Sequence, residues 1–226
     1  MEYLNTENMI YILFICITIP LILSVPLIQK ASRDIMVCLI IGIFAALFIS
    51  EVNGIFLRLF HEDVLFVTTT ITPVTEEIIK ALPVIVFAFL FSENRAKLLS
   101  ISFALGVGFA LFENTFILIE NVQYISLGWA AIRGFSSALM HGVCTAAVGY
   151  GMSYVRIKRK LSIPGTFALL ITVIMYHGIF NMMVQAENMK NYGFLLPAAT
   201  YIPFLIYLLV QRNKVARQKL AQEQTE

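Results

Sequence analysis

Residues 35–57 read I-M-V-C-L-I-I-G-I-F-A-A-L-F-I-S-E-V-N-G-I-F-L, with Glu51 the only charged residue in the run. At ~1.5 Å per residue a helix of this length extends ~34 Å, enough to cross ~30 Å of hydrocarbon. Similar runs recur near 9–27, 66–91, 98–119, 129–154, 163–185 and 194–211, separated by short polar punctuation. Of the 226 residues 59% are hydrophobic and 13% charged, whereas a soluble domain is nearer half and a quarter. The reading is an all-α polytopic membrane protein, a bundle of about seven transmembrane helices. It is organised as one domain over 1–211 with a short basic tail over 212–226, and its first partner is the lipid bilayer.

Loop charge orients the bundle. With the N-terminus outside, the inner loops and tail carry Lys30, Arg33, Arg95, Lys97, Arg156, Lys158, Arg159, Lys160, Arg212, Lys214, Arg217 and Lys219, twelve of the sixteen Lys+Arg. The outer loops keep Arg58, Arg133 and Lys190, and Lys80 lies within a span. This bias predicts an outside N-terminus and a cytoplasmic C-terminus. The basic run at 156–160 is then an orientation signal, and a net charge of +2 gives no nucleic-acid surface. Cys16, Cys38 and Cys144 all fall in apolar runs and read as free thiols. The leader M-E-Y-L-N-T-E-N (1–8) is acidic, so the first run is expected to stay as a span rather than leave as a signal peptide.

Lipid penalises ionisable groups, so those inside spans mark a purpose or a partner. They are Glu76, Glu77 and Lys80 on the third span, Glu113 with Asn114 on the fourth, His141 on the fifth, and His177 with Asn181 on the sixth. Helical rise places Glu76 ~10–15 Å below the outer face, Glu113 at ~9 Å, His141 at ~16 Å and His177 at ~12 Å. Four helices thus hold polar side chains in one layer, which predicts one site. Glu76 and Lys80 are i,i+4 and are expected to pair; Glu77 is turned ~100° from Glu76, toward another neighbour. Gly106, Gly108, Gly134, Ala138, Gly142, Gly149 and Gly151 are small enough to let helices approach. A structural ion pair at Glu76–Lys80 and interhelical hydrogen bonds from the histidines are the competing reading of the same residues.

Elimination narrows the chemistry. The sequence has no H-E-x-x-H, and neither aspartate, Asp34 or Asp63, lies in a span. Ser136 in G-F-S-S-A lacks the glycine of a nucleophile turn, and the last span has no lysine for a Schiff base. Carboxylate with imidazole remains, a means of activating water.

Four motifs, E-E-I-I-K (76–80), F-A-L-F-E-N (109–114), M-H-G-V-C-T-A-A-V-G (140–149) and H-G-I-F-N (177–181), resemble in order and depth the PrsW family of glutamic-type intramembrane proteases. That family is related to the type II CAAX prenyl proteases and, more distantly, to APH-1. The resemblance implies an endopeptidase that cleaves a single-span membrane protein, such as a membrane-anchored anti-sigma factor, near the outer leaflet. It implies Glu76 as general base, Glu77 as its support, Glu113 orienting water or sharing a proton, and His141 as the third-motif histidine. His177 and Asn181 would bind the oxyanion, with Lys80 and Asn114 supporting, and no cofactor is expected. The CAAX pattern has arginine five residues after the second glutamate where this chain has Leu82, so prenylated substrates are not implied. Two alternatives stay open: a zinc ion held by the same histidines and glutamates, and a non-catalytic APH-1-like scaffold or transporter.

Overall fold

The computed structural model describes residues 6–61, 63–90, 95–121, 123, 126–154 and 159–223. Most of the basic 156–160 run falls outside them. Among the described residues there are seven long helices and no strand: α1 (Thr6–Ser24), α2 (Lys30–Leu59), α4 (Thr72–Leu90), α5 (Arg95–Glu120), α6 (Leu127–Met152), α7 (Arg159–Gln185) and α8 (Lys190–Glu223). A single turn, α3 (Val64–Phe66), and a π-helical turn (Val67–Ile71) lead into α4. The helices overlie the seven expected spans within a few residues. Two differences stand out: the third span begins in π geometry, and α8 runs through the expected tail to Glu223.

Ser32–Leu59, Arg95–Glu120 and Pro164–Gln185 are each long and apolar enough to cross a membrane. The nineteen residues of α4 hold Glu76, Glu77 and Lys80, and burial shows how such a helix is accommodated. Phe48, Val86 and Phe135 are about half exposed or more, whereas Glu76, Glu77, Lys80, His141 and His177 are at most 3% exposed. Apolar side chains face outward and ionisable ones inward, as hydrocarbon surroundings require.

The centre is α5, packed between α2 and α6, with α4 and α7 closing the other side. Glycine sets its distances. A Cβ at Gly42 of α2 would overlap the Leu105 carbonyl of α5, one at Gly108 the Leu39 carbonyl, and one at Gly106 the His141 carbonyl of α6. Gly134 has nothing within 4 Å, so it is not one of the packing glycines. Buried apolar residues from several helices, among them Val84, Leu105, Met140 and Phe180, fill the bundle around these approaches.

The π turn has a local cause. Asp63 caps the segment by accepting from Phe66 N at 3.0 Å, and the Thr72 N–H reaches Val67 O, five residues back. The next bond of that series would need an N–H at residue 73, which is proline and has none. The Thr68 carbonyl is thereby left without a backbone donor, and Asn181 Nδ2 of α7 supplies one at 2.8 Å. Gln185 adds Nε2–H to Thr68 Oγ1 at 3.0 Å.

Candidate active site

The polar residues of α4, α5, α6 and α7 converge as their equal depth predicts. Lys80 Nζ donates to Glu77 Oε1 at 2.6 Å and to His141 Nδ1 at 2.8 Å, and lies 4.6 Å from the centre of the Phe109 ring. Its distance to Glu76 Oε2 is 3.8 Å. The expected Glu76–Lys80 ion pair is therefore present, and the i,i+3 carboxylate of Glu77 is the closer, hydrogen-bonded partner of the ammonium. Glu77 Oε1 also accepts from His177 Nδ1 at 2.9 Å, and Glu113 Oε2 from His141 Nε2 at 2.9 Å. The two imidazole rings lie edge to face with centroids 5.0 Å apart.

These partners fix the tautomers. A carboxylate only accepts and an ammonium only donates. His141 therefore carries its proton on Nε2, toward Glu113, and offers the Nδ1 lone pair to Lys80. His177 carries its proton on Nδ1, toward Glu77, and turns the Nε2 lone pair to Glu76 Oε2, 3.9 Å away. Glu76 Oε2, also 3.8 Å from His141 Nδ1, is buried with no hydrogen-bond partner. A buried acceptor left unsatisfied is costly, and three acceptor atoms facing one point call for a shared donor or cation.

The geometry shows what each of the other expected residues touches. Neutral His177 offers a lone pair where an oxyanion would need an N–H, so donation from Nε2 requires a second proton. Asn181 holds the π turn with one of its N–H groups. Asn114 is buried beside Glu113 with Oδ1 unpaired, and no hydrogen bond joins it to the cluster. Two participants escaped the sequence reading. Arg133, counted there with the outer loops, lies in α6 with its guanidinium 3.8 Å from Glu113 Oε1, and Ser137 Oγ donates to Glu113 Oε2 at 3.4 Å. Their i,i+4,i+8 spacing with His141 was the available signal. Ser136 donates to Phe194 O at 2.8 Å, a structural bond between α6 and α8.

A cavity of about 380 Å³ leads away from Glu76 and Glu113. One wall is a stripe of α2 from Ala46 to Leu57, the other a stripe of α5 from Phe109 to Glu120, and Val64, Thr68 and Thr72 also line it. It runs toward the end of the bundle where α2 and α5 finish, at Leu57 and Glu120. Glu76, buried in the helical bundle, thus borders a passage out of it.

The sequence matches the family described as PrsW family intramembrane metalloprotease over residues 31–210, about four-fifths of the chain, including all four motifs and every residue of the cluster. The chain belongs to the PrsW family. It is accordingly a membrane-embedded protease of all-α fold. No curated protein and no solved structure matches it.

The PrsW description names a metal, and the cluster can be tested for one. Glu76, His141 and His177 each offer one ligand atom, and these atoms lie within 4.8 Å of one another. Both histidines have their other nitrogen held by a carboxylate, as zinc-bound histidines commonly do. The donor set fits an ion with three protein ligands and one open position. Lys80 Nζ, 2.8 Å from His141 Nδ1, occupies the lone pair that such an ion would need.

Proposed function

We propose that this PrsW protein hydrolyses a peptide bond of a single-span membrane protein with water activated by Glu76, without a metal. The observation that carries this reading is the place of Lys80. Its ammonium already stands among Glu77, His141 and the Phe109 ring, where a bound cation would otherwise be needed. Glu76 Oε2, the unpaired acceptor beside it, takes the proton of the attacking water and returns it to the leaving amine. Glu77 holds both Lys80 and His177, and Glu113 holds the His141 ring, so the base and the two imidazoles keep fixed directions. Asn181 has a second N–H available for the developing oxyanion, and His177 contributes there when doubly protonated.

The metal reading is favoured by one observation, the three lone pairs facing a common point with each histidine braced. An ion bound by Glu76, His141 and His177 would supply Lewis-acid polarisation of water and carbonyl. It would have to displace Lys80. The two readings diverge for Lys80→Met assayed before and after exhaustive chelation. Under the general-base reading, chelation leaves the unmodified protein active and Lys80→Met is severely impaired, since Glu77 loses its partner at a cost of ~3–5 kcal/mol. Loss of activity on chelation, with metal bound one per chain and retained in Lys80→Met, would reverse the assignment.

The cavity between α2 and α5 is the proposed route for an unwound substrate segment, and a membrane-anchored anti-sigma factor is the substrate class suggested by the family resemblance. Gly54 provides a clean block. A Cβ there meets only Arg58 Nη1 at 3.9 Å, so Gly54→Leu fills the cavity without disturbing a helix contact. Cleavage is expected to fall at least about tenfold, or ~1.4 kcal/mol, with the melting temperature unchanged. Unimpaired cleavage would place the route elsewhere.

The proposed orientation is N-terminus outside, which sets the cavity mouth at the outer face. A reporter fused after Lys219 that is active only in the cytoplasm is the expected result, and activity only outside would invert the topology.

A further inference from the structure

Helices α6 and α8 both begin at the membrane face onto which the active-site cavity leads, and a second cavity of about 520 Å³ lies between their first turns. Its upper part holds Trp129, with Lys190 Nζ 5.4 Å from the centre of the indole ring and the Arg133 guanidinium 5.8 Å from it. Phe194 meets the same ring edge on at 6.4 Å. Below, the cavity is lined by Ile132, Phe135, Leu195 and Ala198, and the first three are more than half exposed. No carboxylate lines it, and Lys190 forms no ion pair among the described residues.

We propose that this cavity binds one anionic phospholipid of the adjoining leaflet. Its phosphate lies beside Lys190 and the Trp129 indole, and an acyl chain descends along Phe135 and Leu195. Three features select that occupant. The apolar part runs along the helices, as an acyl chain does. The polar part stands at the end where headgroups lie, with an aromatic ring and a lysine suited to that depth. Its charge is cationic, reinforced by the N-terminal ends of two helices, so a zwitterionic headgroup would set its own cation against Lys190. Arg133 ties this site to the hydrolytic cluster, since the guanidinium beside Trp129 also reaches Glu113 at 3.8 Å, and its buried Nε has no partner.

Trp129 is the chain's single tryptophan, so its fluorescence reports this cavity alone. The full-length protein in phosphatidylcholine bilayers would be titrated with phosphatidylglycerol brominated on its acyl chains and, separately, with equally brominated phosphatidylcholine. Quenching is expected at roughly five-fold lower mole fraction of the anionic lipid, about the contribution of one basic residue at a membrane surface. Lys190→Gln should remove that preference and Lys190→Arg keep it, while Ala198→Phe should weaken quenching by the anionic lipid by narrowing the chain groove. Millimolar inorganic phosphate should change nothing. Equal quenching by the two lipids would mean ordinary boundary lipid and overturn the proposal. So would displacement of the brominated lipid by inorganic phosphate, or an anionic preference that survives in Lys190→Gln.

Discussion

Glu76→Gln is expected to abolish cleavage of a single-span substrate while leaving the protein folded. Gln keeps the size of the side chain and removes the base, and positioned proton transfer is worth on the order of 10²–10⁴ in rate. His177→Ala should be comparably inactive. It removes the ring whose Nε2 lies 3.9 Å from Glu76 Oε2, and it also leaves Glu77 with only Lys80 to compensate it. Asn181→Ala should behave differently, because the amide satisfies the Thr68 carbonyl stranded by Pro73. Its loss should appear chiefly as ~1–3 kcal/mol of stability, with a milder fall in rate per folded molecule. Initial cleavage rates in reconstituted vesicles, paired with thermal melts of each variant, separate these outcomes. A fully active Glu76→Gln protein would leave Glu76 as nothing more than a partner of a structural ion cluster.

Gly106→Ala is expected to inactivate the enzyme without touching any group that does chemistry. A Cβ at this position would overlap the His141 carbonyl, so α5 and α6 must separate, carrying His141 away from Glu76 and Lys80. A displacement of ~1 Å at a reacting centre costs on the order of 10² in rate, and overpacking typically costs ~1–3 kcal/mol of stability. Gly134→Ala, on α6 but with nothing within 4 Å, is the control. It should be neutral or slightly stabilising, because alanine is the better helix former. Melting temperatures and cleavage rates of the pair give the comparison, and unchanged cleavage in Gly106→Ala would mean that the α5–α6 distance does not position His141.

The architecture and the central residues of the cluster were legible in the chain, while Arg133 and Ser137 were not. Apolar runs of span length gave the seven helices, because transfer from water to hydrocarbon is a property of each side chain that sums along a helix. Helical rise gave the common layer of Glu76, Glu113, His141 and His177, because depth depends only on counting residues. Which atom meets which was decided by neighbours brought from other helices. Glu76 and Glu77 are both within reach of Lys80 along α4, and the choice of Glu77 follows from His141, Phe109 and His177, which fix the ammonium and the carboxylate from outside that helix. Arg133 reads as an interfacial cation from its place near the start of α6, yet the long side chain turns inward once α5 presents Glu113. Asn181 reads as a donor beside His177, and it became the clasp of the π turn because Pro73 withdrew an N–H that the turn required. A sequence position carries depth and hydropathy by itself, whereas a hydrogen-bond partner is a competition among every donor and acceptor within about 3 Å, settled only when the helices have packed.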